Sequence, residues 1–199
     1  MCYGVHFKMR NPILAFLAVG LAVSQSVWGD EEAANRPYVR ASQSGSCYAR
    51  AVPENPQGTK GTTTIYAVAP NGDKPLYSFS WYAASLYVEC ALGSAGRQLA
   101  TSLVRFGEWP RGGQATVDQL ALAFYVGDRL VGQYSTLDVA GSPKNVLASK
   151  SHYRVVDRVL GYRWVESNVA VFEIVTTDGR TMTFDPITGD LLSGRAMPR

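Results

Sequence analysis

The chain has 199 residues, of which 46% are apolar, 18% charged and 11% aromatic, enough apolar material for a globular core and too much for a disordered chain. Lys and Arg outnumber Asp and Glu by 19 to 16, but Lys8 and Arg10 lie in a removable leader, and without them the formal charge falls from +3 to about +1. So even a balance excludes a nucleic-acid binder, which needs a strong positive field.

Residues 1–29 read as a secretory signal: Lys8 and Arg10, then the apolar run 12–23, then the small residues Ser24, Ser26 and Gly29. The run falls short of the roughly 20 residues that span a membrane. Asp30-Glu31-Glu32 prevents its extension, so no membrane span is expected after processing. Cleavage is expected before Asp30, and the processed chain is expected to be secreted or periplasmic. Cys2 leaves with the leader. Cys47 and Cys90 remain, and in a disulfide-permitting compartment they are expected to be bonded to each other.

Residues 30–61 are dense in Pro, Gly, Ser and Asn and read as a loosely ordered N-terminal arm, apart from 47–52, which alternates well enough to join a sheet edge. Residues 62–199 form the β domain. Its strands come as hairpins: 62–68 with 76–81 around Pro70-Asn71-Gly72-Asp73, 85–90 with 98–106 around Gly93-Ser94-Ala95-Gly96, 120–126 with 129–135 around Gly127-Asp128, and 169–175 with 180–184 around Asp178-Gly179. A last short strand is expected over 191–193. Two short helices are expected, over 114–120 and, behind Ser142-Pro143, over 145–150. The fold class is therefore mainly β: an antiparallel hairpin meander closed as a barrel or folded as a two-layer sandwich, with at most one or two short helices.

An aromatic residue stands shortly before Trp81, Trp109 and Trp164, but the Trp spacing is uneven, and independent use of Trp as a core anchor is the preferred reading over duplication. The hairpin ending in Asp185-Pro186-Ile187-Thr188-Gly189 resembles the D-P-x-T-G turn of PepSY-type domains and of some propeller repeats. It is a turn that many β proteins share, and no function is carried over from it.

Catalytic signals are sparse. His152 is the one histidine outside the leader, and a triad would have to draw a serine such as Ser135 and an acid such as Asp138 or Asp157 toward it; no G-x-S-x-G elbow is present. His152 is therefore read as a surface or hydrogen-bonding residue. Neither remaining cysteine sits in a C-x-x-C pair, so no zinc site is expected, and Asp185, Thr188 and Asp190 are read as turn formers rather than calcium ligands. No cofactor is expected.

The positive signal is aromatic, with 11 Tyr and 4 Trp in the chain. Trp81 and Tyr82 are neighbours, and in a strand they point to opposite faces, which makes one of them a candidate platform unless both faces are covered. The loop carrying Arg105, Glu108, Trp109 and Arg111 ahead of Gly112-Gly113 is the most unusual in the chain. Trp109 is expected to plug the end of the domain, and Arg105 or Arg111 to mark a binding site. The leading expectation is a non-enzymatic module binding a protein or an envelope polysaccharide. The alternatives are a small hydrolase of envelope material, using His152 or the acid pair Glu108 and Asp118, and a structural subunit of an envelope assembly.

Overall fold

The computed structural model describes residues 33–93, 100–166 and 169–194; the expected leader and the 94–96 turn of the second expected hairpin lie outside them. Among the described residues, three four-stranded antiparallel meanders follow one another. The first comprises β1 (Tyr38–Ala41), β2 (Cys47–Pro53), β3 (Gly61–Ala67) and β4 (Lys74–Phe79). The second comprises β5 (Leu86–Leu92), β6 (Ala100–Phe106), β7 (Leu120–Val126) and β8 (Arg129–Ser135). A one-turn helix α1 (Thr136–Ala140) and the paired short strands β9 (Leu147–Ala148) and β10 (Tyr153–Arg154) lead to the third: β11 (Val156–Glu166), β12 (Val169–Thr176), β13 (Thr181–Phe184) and β14 (Leu191–Ser193).

The sheets stack by burying apolar faces against one another. Cys47, Ala49, Ala51, Ile65 and Phe79 of the first sheet pack on Leu86, Val88, Cys90 and Leu103 of the second. The opposite face of the second sheet, with Val104, Leu122 and Phe124, packs on Phe172, Ile174, Met182 and Phe184 of the third, and α1 adds Val139 and Ala140. The middle sheet is thus covered on both sides. Its strands show it: Ala121, Leu122, Ala123 and Phe124 are buried in succession, where a half-exposed strand would alternate. The mainly β antiparallel meander expected from the sequence is present, and it folds as packed sheets rather than a closed barrel, with three layers in place of two.

Cys47 and Cys90 are bonded, tying β2 to β5 across the interface of the first two sheets. Beside the bond, the fully buried Glu89 accepts hydrogen bonds from the Gln43 and Cys90 amides at 2.9 and 3.0 Å and from the Ser44 hydroxyl, anchoring the β1–β2 turn. Residues 38–53, mostly assigned to the arm, therefore supply two strands of a sheet. β8 meets the turn after β13 so closely that a Cβ on Gly132 would lie 2.8 Å from the Gly189 carbonyl oxygen, and the Tyr134 hydroxyl donates to that oxygen at 2.7 Å.

Two local expectations fail. Residues 114–119 are irregular, with Val117 68% exposed, because Gly112-Gly113 offers no cap and the segment is held by the buried Ala115 alone rather than by an apolar helix face. Residues 145–150 hold the strand β9 instead of a helix. The helix falls earlier, at α1, where Ser135 and Asp138 form a reciprocal capping box and Gly141 ends it with φ +69°. The Trp motif marks no structural repeat, in line with the reading preferred over duplication: Trp81 follows the last strand of the first meander, Trp109 the second strand of the middle one, and Trp164 lies within the first strand of the third.

In the third sheet, Arg163 of β11 grips Glu173 of β12 through two hydrogen bonds of 2.9 and 2.7 Å. The guanidinium holds the Glu173 carboxyl below the usual carboxylate range, against the opposing effect of burial. Because the folded state lowers this pKa, the pair stabilises the protein above the ordinary carboxylate value, and the benefit is lost as pH falls through the lowered value. Arg163→Met is expected to destabilise at neutral pH and to match the parent in strong acid. Urea midpoints across pH measure this, and a difference that persists unchanged into acid contradicts it.

Candidate functional site

β6 and β7 remain paired past their last ladder residues: the Gly107 amide donates to the Ala121 carbonyl at 3.0 Å, and a Cβ at Gly107 would collide with the Leu120 carbonyl. Glycine there lets the strands close on each other at the root of the 108–119 loop. The loop is then fastened along its length. Tyr153 and Gly112 amides donate to the Pro110 and Ser151 carbonyls at 2.9 and 3.1 Å, making a β-bridge between Arg111 and His152. Thr136 Oγ1 takes the Thr116 amide at 2.9 Å, and the Tyr153 phenol donates to the Gln119 amide oxygen at 3.0 Å. Ala115 is buried in the main core. The loop is held before any ligand arrives, so little ordering cost remains for binding.

Its backbone is fixed, and its Trp109 side chain stands outside. Trp109 is 49% exposed, contrary to the expectation that it plugs the domain, because the bridge pins residues 110–112 by main-chain groups and places His152 beneath the indole. The two rings lie 5.1 Å apart, and His152 is only 7% exposed, with Nδ1 2.8 Å from the Ser151 hydroxyl. Of the two roles expected for it, surface or hydrogen-bonding, the structure shows the second: His152 is buried, bonded to Ser151, and lies under Trp109. The triad partners weighed from the sequence are engaged elsewhere, Ser135 with Asp138 in the α1 cap and Asp157 with Arg154 at 3.7 Å.

Two clefts meet at Trp109. The smaller, ≈ 310 Å³, is lined by Arg105, Glu108, Arg111, Asp118 and Gln119. The larger, ≈ 510 Å³, is lined mainly by Ala33, Ala83, Ala84, Phe106, Ala121, Val155 and Val156, with Arg154 among its few charged residues. Thr59, Gly107, Glu108, Trp109 and Pro110 belong to both. Both volumes fall within the range of small-molecule sites.

The residues singled out from the sequence are partly brought together here. Arg105, Trp109 and Arg111 share the smaller cleft with the acid pair Glu108 and Asp118. Arg105 is already occupied in part, its guanidinium lying 4.5 Å over the Trp81 ring. Trp81 and Tyr82 line neither cleft. β4 ends at Phe79, so strand alternation no longer governs them: Tyr82 is buried with its hydroxyl on the Arg36 carbonyl at 3.1 Å, and Trp81 packs half-buried on Phe79 and Tyr125. Sequence reasoning missed Thr59, brought in by its carbonyl bond to the Tyr82 amide, and the whole apolar cleft, whose walls come from seven separate segments.

Among the described residues no group of three or more His, Cys, Asp or Glu is arranged to hold a metal ion. Asp185 serves its turn, accepting the Ile187 and Thr188 amides at 2.7 and 3.2 Å. No helix of the described residues is long and apolar enough to cross a membrane. No protein-family model, curated protein or solved structure matches the chain.

Proposed function

We propose that this chain is a secreted or periplasmic, non-enzymatic β module that binds a component of the cell envelope through the paired clefts at Trp109. The half-exposed indole carries the reading. Aromatic and Arg side chains dominate contact energies because they bury much area with little entropy lost, and here Trp109 stands beside Arg111 on a loop whose path is already fixed. The buried disulfide suits export to an oxidising compartment.

The test is retention of an envelope component on the immobilised processed chain. Trp109→Ala is expected to lower retention at least tenfold with only a small fall in melting temperature, since the indole covers His152 but belongs to neither core cluster. Equal retention by the variant overturns the assignment of the site. A hydrolase is the second reading, favoured by the presence of Glu108 and Asp118 in one cleft. Release of soluble fragments from envelope material by the parent, abolished in Asp118→Asn, would establish it and displace the non-enzymatic reading.

A further inference from the structure

Pro70-Asn71-Gly72-Asp73, the turn between β3 and β4, carries a chemistry that the clefts at Trp109 do not use. The Gly72 amide donates to the Ala69 carbonyl at 3.1 Å, which closes the turn with Pro70 in its second position. Gly72 has φ +105°, and a Cβ added there would meet nothing within 4 Å. Asn71 and Gly72 are both exposed, and among the described residues the Asn71 carboxamide makes no hydrogen bond.

An asparagine carboxamide is lost when the amide nitrogen of the next residue reaches its Cγ. Glycine in that next place eases the attack, because it has no Cβ to obstruct it and its backbone turns freely. Asn71 is the only asparagine in the chain followed by glycine. Asn55 precedes Pro56, whose nitrogen carries no proton to give up. Asn35 precedes Arg36 and Asn145 precedes Val146, and their Nδ2 atoms are held by the Gly58 and Ala140 carbonyls at 2.8 and 3.0 Å.

From this contrast we infer that Asn71 is a self-modification site, at which the folded chain converts its own asparagine into a mixture of aspartate and isoaspartate. The Gly72 amide leaves the Ala69 carbonyl, loses its proton to base and bonds to Asn71 Cγ. The Cγ–Nδ2 bond breaks and ammonia departs, taking up a proton in place of the one lost, and a succinimide ring remains. Water then adds to either ring carbonyl. Opening on one side gives aspartate, and on the other isoaspartate, whose backbone is one carbon longer. A single hydrogen bond at an exposed turn guards the step, so the local opening it needs costs little. The added carbon falls between Ala67 and Lys74, which pair at the mouth of the β3–β4 ladder, and beside Asp73, which takes the Tyr48 phenol at 2.9 Å. The new carboxylate brings the expected processed chain from a formal charge of about +1 to about neutral, and with no net charge copies lose the repulsion that keeps them apart. The turn lies at the opposite end of β3 from Thr59, so the reading of the clefts does not depend on it.

The folded processed chain, held at mildly alkaline pH in water enriched in heavy oxygen, is digested at intervals and its peptides are followed by mass. The peptide carrying Asn71 is expected to exchange its carboxamide for a carboxyl that contains the heavy oxygen, in two forms separable by chromatography. Its rate should rise in proportion to hydroxide, since the deprotonated amide attacks, and exceed the rate at Asn35 and Asn145 at least tenfold. A more acidic species should grow in step on ion exchange. Asn71→Gln, which would have to close a larger ring, is expected to melt like the parent and to form neither product. Asn71 still intact in the folded chain when the urea-unfolded chain has fully converted overturns the inference, because the closed turn then protects it. So does conversion at Asn35 or Asn145 as fast as at Asn71, or an acidic species that Asn71→Gln forms at the parent rate.

Discussion

Replacing Cys47 and Cys90 by alanine will lower the unfolding free energy by about 4 kcal/mol. The bond joins residues separated by 43 positions, and the closed loop contains all of β3 and β4. Cutting it returns that segment's freedom to the unfolded chain, and a loop of this length corresponds to a loss of that size. Against a typical domain stability of about 5–15 kcal/mol the loss is large. Cys47 is fully buried and Cys90 nearly so, so reductant should act slowly on the native protein and quickly once it is unfolded. Urea unfolding of the double variant measures the effect, and thiol titration of the unreduced, denatured processed chain is expected to find no free thiol. An unchanged midpoint, or two reactive thiols, would sink this account.

Phe172→Ala is expected to cost about 3–5 kcal/mol, the range for removing a large aromatic from a core that relaxes only in part. Phe172 is fully buried on β12 and meets Tyr87, Phe106, Phe124 and Tyr162 at ring separations of 5.6, 6.3, 5.9 and 5.2 Å. These partners come from β5, β6, β7 and β11, so the ring is where the middle and third sheets are joined. Tyr162 beside it is buried deeply enough to push its phenol pKa up, and its hydroxyl reaches the Ser102 carbonyl on β6 at 3.1 Å, which leaves little room for the cavity to close. In thermal unfolding the loss corresponds to a midpoint lower by on the order of 10 °C. Val171, half-buried on the other face of the same strand, is the comparator. Its change to alanine should cost less than half as much, and equal losses at the two positions would refute the packing assignment.

How far these features could be read from residues alone depends on how local their cause is. Asn71-Gly72, Gly127-Asp128 and Asp178-Gly179 each mark a turn between strands that the structure contains, because a positive φ demanded by a tight turn is met within two residues. The cysteine pairing followed from number and from the expected compartment. β11 was missed although it is the longest strand among the described residues: it lies at a sheet edge, exposes most of its side chains, and is broken by register shifts near Arg158, Leu160 and Val165, so neither alternation nor an apolar run marks it. Ser135-Thr136-Leu137-Asp138 did carry a cap signature, but five helical residues give no periodicity to accompany it. The third layer was also out of reach, since a strand buried on both faces is recognised only when its partner sheets are known.

The candidate site divides in the same way. Arg105, Glu108, Trp109, Arg111 and Asp118 drew attention as an unusual loop, and they do line one cleft. The exposure of Trp109 was not legible, because it depends on where a bridge to residue 152 places the backbone, and that contact crosses some forty positions. The apolar cleft needs Ala33, Ala84, Phe106 and Val155 in one place, and nothing in their separate neighbourhoods announces it.

The manner in which the 108–119 loop is fastened separates its path from its side chains. Amides and carbonyls of Pro110, Gly112, Ser151 and Tyr153 make the bridge, and these groups are the same whatever residues stand at 108, 109 and 111. Side chains at those three positions can therefore be exchanged without removing a bond of the bridge. The fold can acquire a new ligand preference by substitution at the cleft alone, so related chains could share this framework while recognising different molecules.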